Sequence, residues 1–372
     1  MKLTTVESLK DIPADAWNAL AGNQNPFVQH DFLLALETGQ CLQPYGWYPQ
    51  YILAYDNNEL VGASPAYIKT NSYGEFVFDW AWADAYKRAQ LDYYPKLIIA
   101  VPYSPITGPR LLAKNNDSTI KQALVTHAID LVQQQNLSSV HWLFNTKEDH
   151  QIELDHGLMP RFDYQFHWQN HHYQNFDDFL AQLSSKKRKN IKRERRLVKD
   201  AGIDIKTIIG TDLTDQQWQQ VYDFYQITFM KKFGTATLSL NFFKAIAHKL
   251  LAILAYDKDR AVAGAICILG KDTLYGRHWG CYEEYDSLHF EVCYYTGIDY
   301  CIQNNLKTFE PGAQGEHKIA RGFLPTRTLS SHWIAHPTFR NAIADFLQRE
   351  AKAMEGYGED LKTASPFRNT EN

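Results

Sequence analysis

Apolar and polar positions repeat one pattern twice along this chain. The stretch ILAYDNNELVGA (52–63) recurs as ILAYDKDRAVAGA (253–265), in each case an apolar run, a polar turn and a second apolar run. Asp56-Asn57-Asn58 and Asp257-Lys258-Asp259 punctuate them, so each reads as a β-hairpin. Two such hairpins suggest a duplicated domain, with a chance match of so short a stretch as the alternative. In the second half, DTLYGRHWGCYEEY reads as strand and loop, EVCYYTGIDYCIQNNL as an amphipathic helix and KTFEP as a strand. In the first half, GEFVFDWAWADAY reads as strand and loop, YYPKLIIAVPYSPITGPRLL is punctuated by prolines, and STIKQALVTHAIDLVQQQNLSSVHWLF is a helix followed by a strand. This alternation predicts an α/β (α+β) fold with domains over 1–165 and 166–372, FHWQN opening the second.

One segment of the second half departs from the rest in charge. Asn175 caps a short helix over FDDFLAQL, and Ser184 or Ser185 caps a second running over 184–201, stopped by Gly202. At 100° per residue, Leu183, Ile191, Leu197 and Val198 share one arc of that helix. Lys186, Arg188, Lys189, Lys192, Arg193, Arg195, Arg196 and Lys199 fill the opposite side, with Lys187 and Glu194 intruding on the apolar one. Nine lysines and arginines between Lys186 and Lys199, in a chain of formal net charge -4, make this strip exceptional. A solvated face is the ordinary explanation of a charge run, but such faces mix signs, because like charges at i, i+4 repel. The strip therefore points to an anionic partner, phosphate groups above all. No zinc finger or other nucleic-acid motif accompanies it, so a DNA reader is not expected.

Composition narrows the remaining classes. At 372 residues, 45% of them hydrophobic, the chain has the length and apolar content for two cores rather than one. The N-terminus lacks a signal-peptide apolar run and no stretch is apolar enough to span a membrane, so a soluble cytoplasmic protein is expected. The cysteines Cys41, Cys267, Cys281, Cys293 and Cys301 form no C-x-x-C pair, as expected of reduced thiols. His167, His171 and His172 look extended rather than helical, and no metal is expected there. Motifs of serine hydrolases, P-loop NTPases and dinucleotide enzymes are missing.

The candidate chemistry gathers in FEPGAQGEHKIARGF (309–323). Glu310 ends a strand, Gly312 and Gly315 expose backbone N–H groups, and Gln314, Glu316, His317, Lys318 and Arg321 follow. Upstream, His289 and Glu291 lie at a helix start, and Arg277 and His278 on or beside a strand. A polar loop without catalytic duty is the competing explanation for each residue.

Together NPFVQHDFLLALE, GEFVFDWAWADAY, YYPKLIIAVPYSPITGPRLL, FHWQN with FDDFLAQLSSKKRKNIKRERR, LHFEVCYY and FEPGAQGEHKIARGF resemble the predicted N-acyltransferases of peptidoglycan biosynthesis/recognition, a family similar to the Fem-type aminoacyltransferases. The resemblance covers nearly the whole chain. It implies two tandem GNAT-like domains, each a mixed, mostly antiparallel sheet flanked by helices. It also implies an acyltransferase that moves an acyl or aminoacyl group from an activated, phosphate-rich carrier to an amine, without a tightly bound cofactor. Aminoacyl-tRNA, acyl-CoA and acyl carrier protein are the donor options, and a non-catalytic binder of cell-wall precursors is the alternative class. The basic helix then offers Arg188, Lys192, Arg195, Arg196 and Lys199 to donor phosphates, with Arg277, Gln314 and Arg321 as further contacts. Glu291, Glu310 and His289 are candidate proton acceptors, and Lys318 or the Gly312–Gly315 backbone candidate oxyanion donors. Two departures stand out. The glycine-rich pyrophosphate loop of CoA-dependent GNAT enzymes is replaced by EYDSLHFEVCYY, and the Phe-Lys pair common in Fem-type proteins is here His317-Lys318.

Overall fold

The computed structural model describes residues 1–231, 234–313 and 315–368. Two compact units emerge: Met1–Asp163 with Arg327–Tyr357, and Tyr164–Thr326 with Gly358–Asn372. Each combines β-sheet with helices packed against it.

In the first unit, strands Lys2–Val6, Tyr51–Asp56, Glu59–Ser64 and Leu112–Ala113 form one antiparallel sheet in that order. Strands Trp47–Pro49, Ala66–Lys69 and Lys96–Ile99 pair antiparallel in turn, and Lys96–Ile99 then runs parallel to Ser139–Leu143. Helix Ser118–Gln134 makes that parallel crossover, and its Leu124, Val125 and Ala128 bury against Ile52, Leu97 and Trp142. Ser330–Ile334 also pair with Ser139–Leu143, and Arg161 grips Glu350 through two bonds of 2.7 Å. These contacts put 327–357 with the first unit, whereas the sequence pattern grouped all of 166–372 together. Periodicity marks a strand but not the neighbour it joins.

The second unit repeats the plan. Strands Ile203–Ile209, Leu250–Asp257, Arg260–Leu269 and Thr273–Cys281 are antiparallel neighbours, and Thr273–Cys281 runs parallel to Thr308–Glu310 after a helical crossover. The repeated hairpins occupy equivalent places, and both carry a register shift at the same step, Ala54/Tyr55 and Ala255/Tyr256. A shared irregularity at matched residues, with left-handed Asn57, Asn58 and Lys258 in the turns, favours duplication over chance.

The aromatic-rich segment after Glu75 differs from its expected strand: Trp80–Arg88 is a helix. Trp82 and Tyr86, four residues apart, bury one helical stripe that the alternation of aromatics upstream concealed.

Candidate active site of the second unit

Strands Thr273–Cys281 and Thr308–Glu310 pair through only three residues each, ending at Tyr275 opposite Glu310. The first strand continues to Cys281, while the second turns away at Pro311, which packs so close to Gly276 that a Cβ there would lie 3.2 Å from the Pro311 Cα. Just beyond the split, Arg277 is the extra residue of a bulge, since Ile266 faces His278 and the next residue, Cys267, faces Gly276. Bulges beside a site re-aim a side chain in this way.

The helix entering the split carries a second irregularity. Between Leu288–Phe290 and Thr296–Gln303 it is π-helical over Glu291–Tyr295, a deformation concentrated at functional sites. It brings Tyr294 to His317, whose Nε2 lies 2.8 Å from the tyrosine hydroxyl, while the His289 ring packs 5.3 Å from Trp279 and 6.4 Å from His317. Gly312, Gly315 and Gly322 have φ of 100°, 115° and 93°, so the FEPGAQGEHKIARGF loop needs glycine at each turn. Gln314 lies outside the described residues.

Glu310 is buried at the end of its strand. Its Oε2 is buried without a hydrogen bond, and His167 Nε2 lies 3.8 Å from it. Burial pushes its carboxyl up to about 8, against the pull of the Arg277 guanidinium. Arg277 is itself lowered to about 10 by burial, and His167 to about 4 by burial and the Lys318 charge, leaving that imidazole neutral near pH 7. Lys318 is 2% exposed and donates one hydrogen bond, 2.7 Å, to the Gly312 carbonyl. Burial lowers its amine to about 8. His167 thus lies beside Glu310 and within the field of the Lys318 charge. In the sequence it was one of three histidines in an extended run, and burial, which His171 and His172 lack, sets it apart.

Several residues considered for phosphate or proton transfer do structural work. Arg195 pairs with Glu291 Oε1 at 3.0 Å and Asp299 Oδ2 at 2.8 Å, and lies over Phe176 at 4.3 Å. Burial nevertheless raises the Glu291 carboxyl. Arg321 donates to Glu194 Oε1 (2.9 Å), to the Tyr295 hydroxyl (3.0 Å) and to the His317 carbonyl (2.9 Å), with Phe290 beneath its guanidinium. Tyr295 in turn donates to Glu194. Glu194, the acid that intruded on the apolar side of the basic helix, is therefore its polar anchor, beside Ile191 and Val198. Lys192 reaches Asp177 at 2.8 Å on the surface, and Arg196 lies 3.9 Å from Asp200.

What remains free is the outer arc of the helix, which runs Ser185–Asp200 after Asn175-capped Phe176–Gln182. Lys186, Lys189, Arg193 and Lys199 are exposed and Arg188 half-buried, with no acidic partner among the described residues. Lys186, Lys189, Arg193 and Arg196 follow one line spanning about 15 Å at 1.5 Å rise per residue.

The first unit has the same strand–helix–parallel strand plan but fills the space after it. Residues 100–106 are buried, Gly108 bridges Asn145 in parallel, and fully buried Arg110 bonds the Leu143 and Ile106 carbonyls at 2.9 and 2.7 Å. The proline-punctuated segment closes in this unit what the second leaves to its glycine loop.

A family profile described as peptidoglycan biosynthesis/recognition, FemAB-like, matches residues 8–369. No curated protein sequence matches. Among solved structures, FemX is similar at TM-score 0.55 and 11% identity, over 92% of this chain and 100% of that one. L-PGS from Bacillus licheniformis is similar at TM-score 0.55 and 9% identity, over 92% and 98%. At these identities the likeness is one of fold. No helix among the described residues is long and apolar enough to cross a membrane.

Proposed function

The chain belongs to the FemAB-like family of peptidoglycan biosynthesis/recognition proteins, and from that premise we propose that its second unit transfers an aminoacyl group from tRNA to an amine. Membership makes it a transferase of acyl or aminoacyl groups. The finer reading is carried by one observation: the exposed cationic line on the basic helix belongs to the same unit as Glu310, His167 and Lys318. A CoA donor is less well served, because the helix at the split begins Ser287-Leu288-His289-Phe290-Glu291, without glycines and with an acid in its first turn.

In the proposed reaction the acceptor amine attacks the ester carbonyl carbon. Ionised Glu310 takes the amine proton as the C–N bond forms. The carbonyl oxygen gathers negative charge, which Lys318 stabilises with the N–H donors not used on Gly312. Collapse breaks the C–O bond, and the proton held by Glu310 passes to the departing 3′ oxygen, which leaves as the hydroxyl of the tRNA. Glu310 must be ionised and Lys318 protonated, and both titrate at about 8. The rate should therefore pass through a maximum near pH 8.

The test is filter binding of aminoacyl-tRNA across a salt series, with a Lys186→Glu/Lys189→Glu/Arg193→Glu variant. Wild-type affinity should fall with salt, and the variant should lose both affinity and roughly three charges of salt slope. No binding by the wild type at low salt sinks the tRNA donor. Glu310→Gln should bind tRNA as well as wild type and lose turnover. If no turnover exists to lose, the chain is a precursor-binding protein.

A further inference from the structure

In residues 70–80 of the first unit, TNSYGEFVFDW, the usual arrangement is reversed: the acids are inside and the aromatic rings outside. The side chains of Glu75 and Asp79 are 2% and 4% exposed, whereas Tyr73, Phe76, Phe78 and Trp80 are 70%, 41%, 52% and 42% exposed. Among the described residues nine large hydrophobics are exposed, and four of them fall between Tyr73 and Trp80.

A buried network holds the display in place. Lys96 Nζ bonds Glu75 Oε2 at 2.8 Å, Ser72 Oγ at 3.0 Å and Asp79 Oδ2, and the Tyr93 hydroxyl donates to Asp79 at 2.6 Å. Above it the backbone is pinned by Arg161 to the Phe78 carbonyl (2.7 Å) and by the Tyr103 N–H to the Gly74 carbonyl (3.2 Å). Gly74, at φ 81°, lies so close to the Tyr103 ring that a Cβ would meet it at 2.7 Å. A loop tied down from beneath at this many points does not expose its rings by slack.

We propose that this loop docks on a lipid bilayer, its rings entering the boundary between headgroups and acyl chains. Half-exposed rings of ~200 Å² each offer roughly 400 Å² in total, about half of what one partner buries in a stable protein interface, so a second copy of the chain is poorly served. Lipid insertion needs no matching surface. Phenylalanine flanked by tyrosine and tryptophan is the composition that a bilayer boundary favours, apolar bodies with polar tips. On the adjoining helix Trp80–Arg88, Lys87 is exposed seven residues after Trp80 and on the same face, placed for lipid phosphates.

The test is cosedimentation of the full chain with phosphatidylcholine vesicles and with vesicles containing added phosphatidylglycerol, at low and high salt. The wild type should partition onto both kinds of vesicle and resist salt, since apolar area drives the binding. Phe76→Ser/Phe78→Ser/Trp80→Ser should lose roughly tenfold per ring. Met230→Ser/Tyr282→Ser, at exposed sites of the second unit, should bind as wild type. All five positions being exposed, the variants should melt like the wild type. The proposal is overturned if the wild type stays in solution, or if the triple variant binds unchanged. It also fails if binding needs anionic lipid and vanishes with salt, which assigns it to the basic helix. A concentration-dependent dimer lost in the triple variant would instead make a second copy the occupant.

Discussion

Replacing Glu194 with alanine should loosen the basic helix from the second unit by an amount that the structure bounds. Glu194 and Arg321 form a pair with side chains 13% and 10% exposed, and Tyr295 donates to the same carboxylate. Removing one partner of a buried pair costs about 3–5 kcal/mol, most of it from the charge left behind. Arg321 keeps its bonds to Tyr295 and His317 and its place over Phe290, so the loss falls somewhat below that range, about 2–3 kcal/mol. For a unit of this size that is roughly 4–12 °C in melting temperature. Urea unfolding of Glu194→Ala, Arg321→Met and the double variant forms a cycle, in which the double loss should fall short of the sum by about 2 kcal/mol. Single-variant losses within about 0.5 kcal/mol of wild type, or additive ones, would refute the anchoring role.

Two further outcomes follow from the same geometry. Glu310 is raised from 4.5 to about 8, so its contribution to stability is fully present below pH 4.5 and declines as pH rises toward 8. Urea unfolding should then show the wild type losing up to ~1.4 kcal/mol per pH unit relative to Glu310→Gln across that window, and parallel pH curves would contradict it. Gly280→Ala would set a Cβ 1.8 Å from the Phe224 carbonyl oxygen of the helix Asp215–Lys231. The backbone must shift, with a loss beyond about 3 kcal/mol, and a melting temperature within 2 °C of wild type would show that the contact yields easily.

The sequence by itself determined what depends on local periodicity and local chemistry. Ile191 and Val198, seven residues apart on the side opposite a cationic arc, sufficed to specify a helix over 184–201, observed as Ser185–Asp200, and its buried side. Asn175 was legible as a cap, and its side chain accepts from the Asp178 N–H at 2.9 Å. The repeated ILAYD hairpins, the strand ending in Glu310 and the glycine turns after it were readable because apolar alternation and left-handed turns leave marks within a few residues.

Only the tertiary structure decided which charges are free. Arg195 and Arg193 look alike in the sequence, yet one faces Glu291 and Asp299 and the other faces solvent, because two positions on a helix differ by 200°. Likewise His167 meets Glu310 across 143 residues of chain, and Ser330–Ile334 return to a sheet begun in the first third of the sequence. A pattern of apolar positions states that a face is buried. What it is buried against, and so how far Glu310 and Lys318 are moved from their ordinary pKa, is set by residues that the chain brings together only on folding.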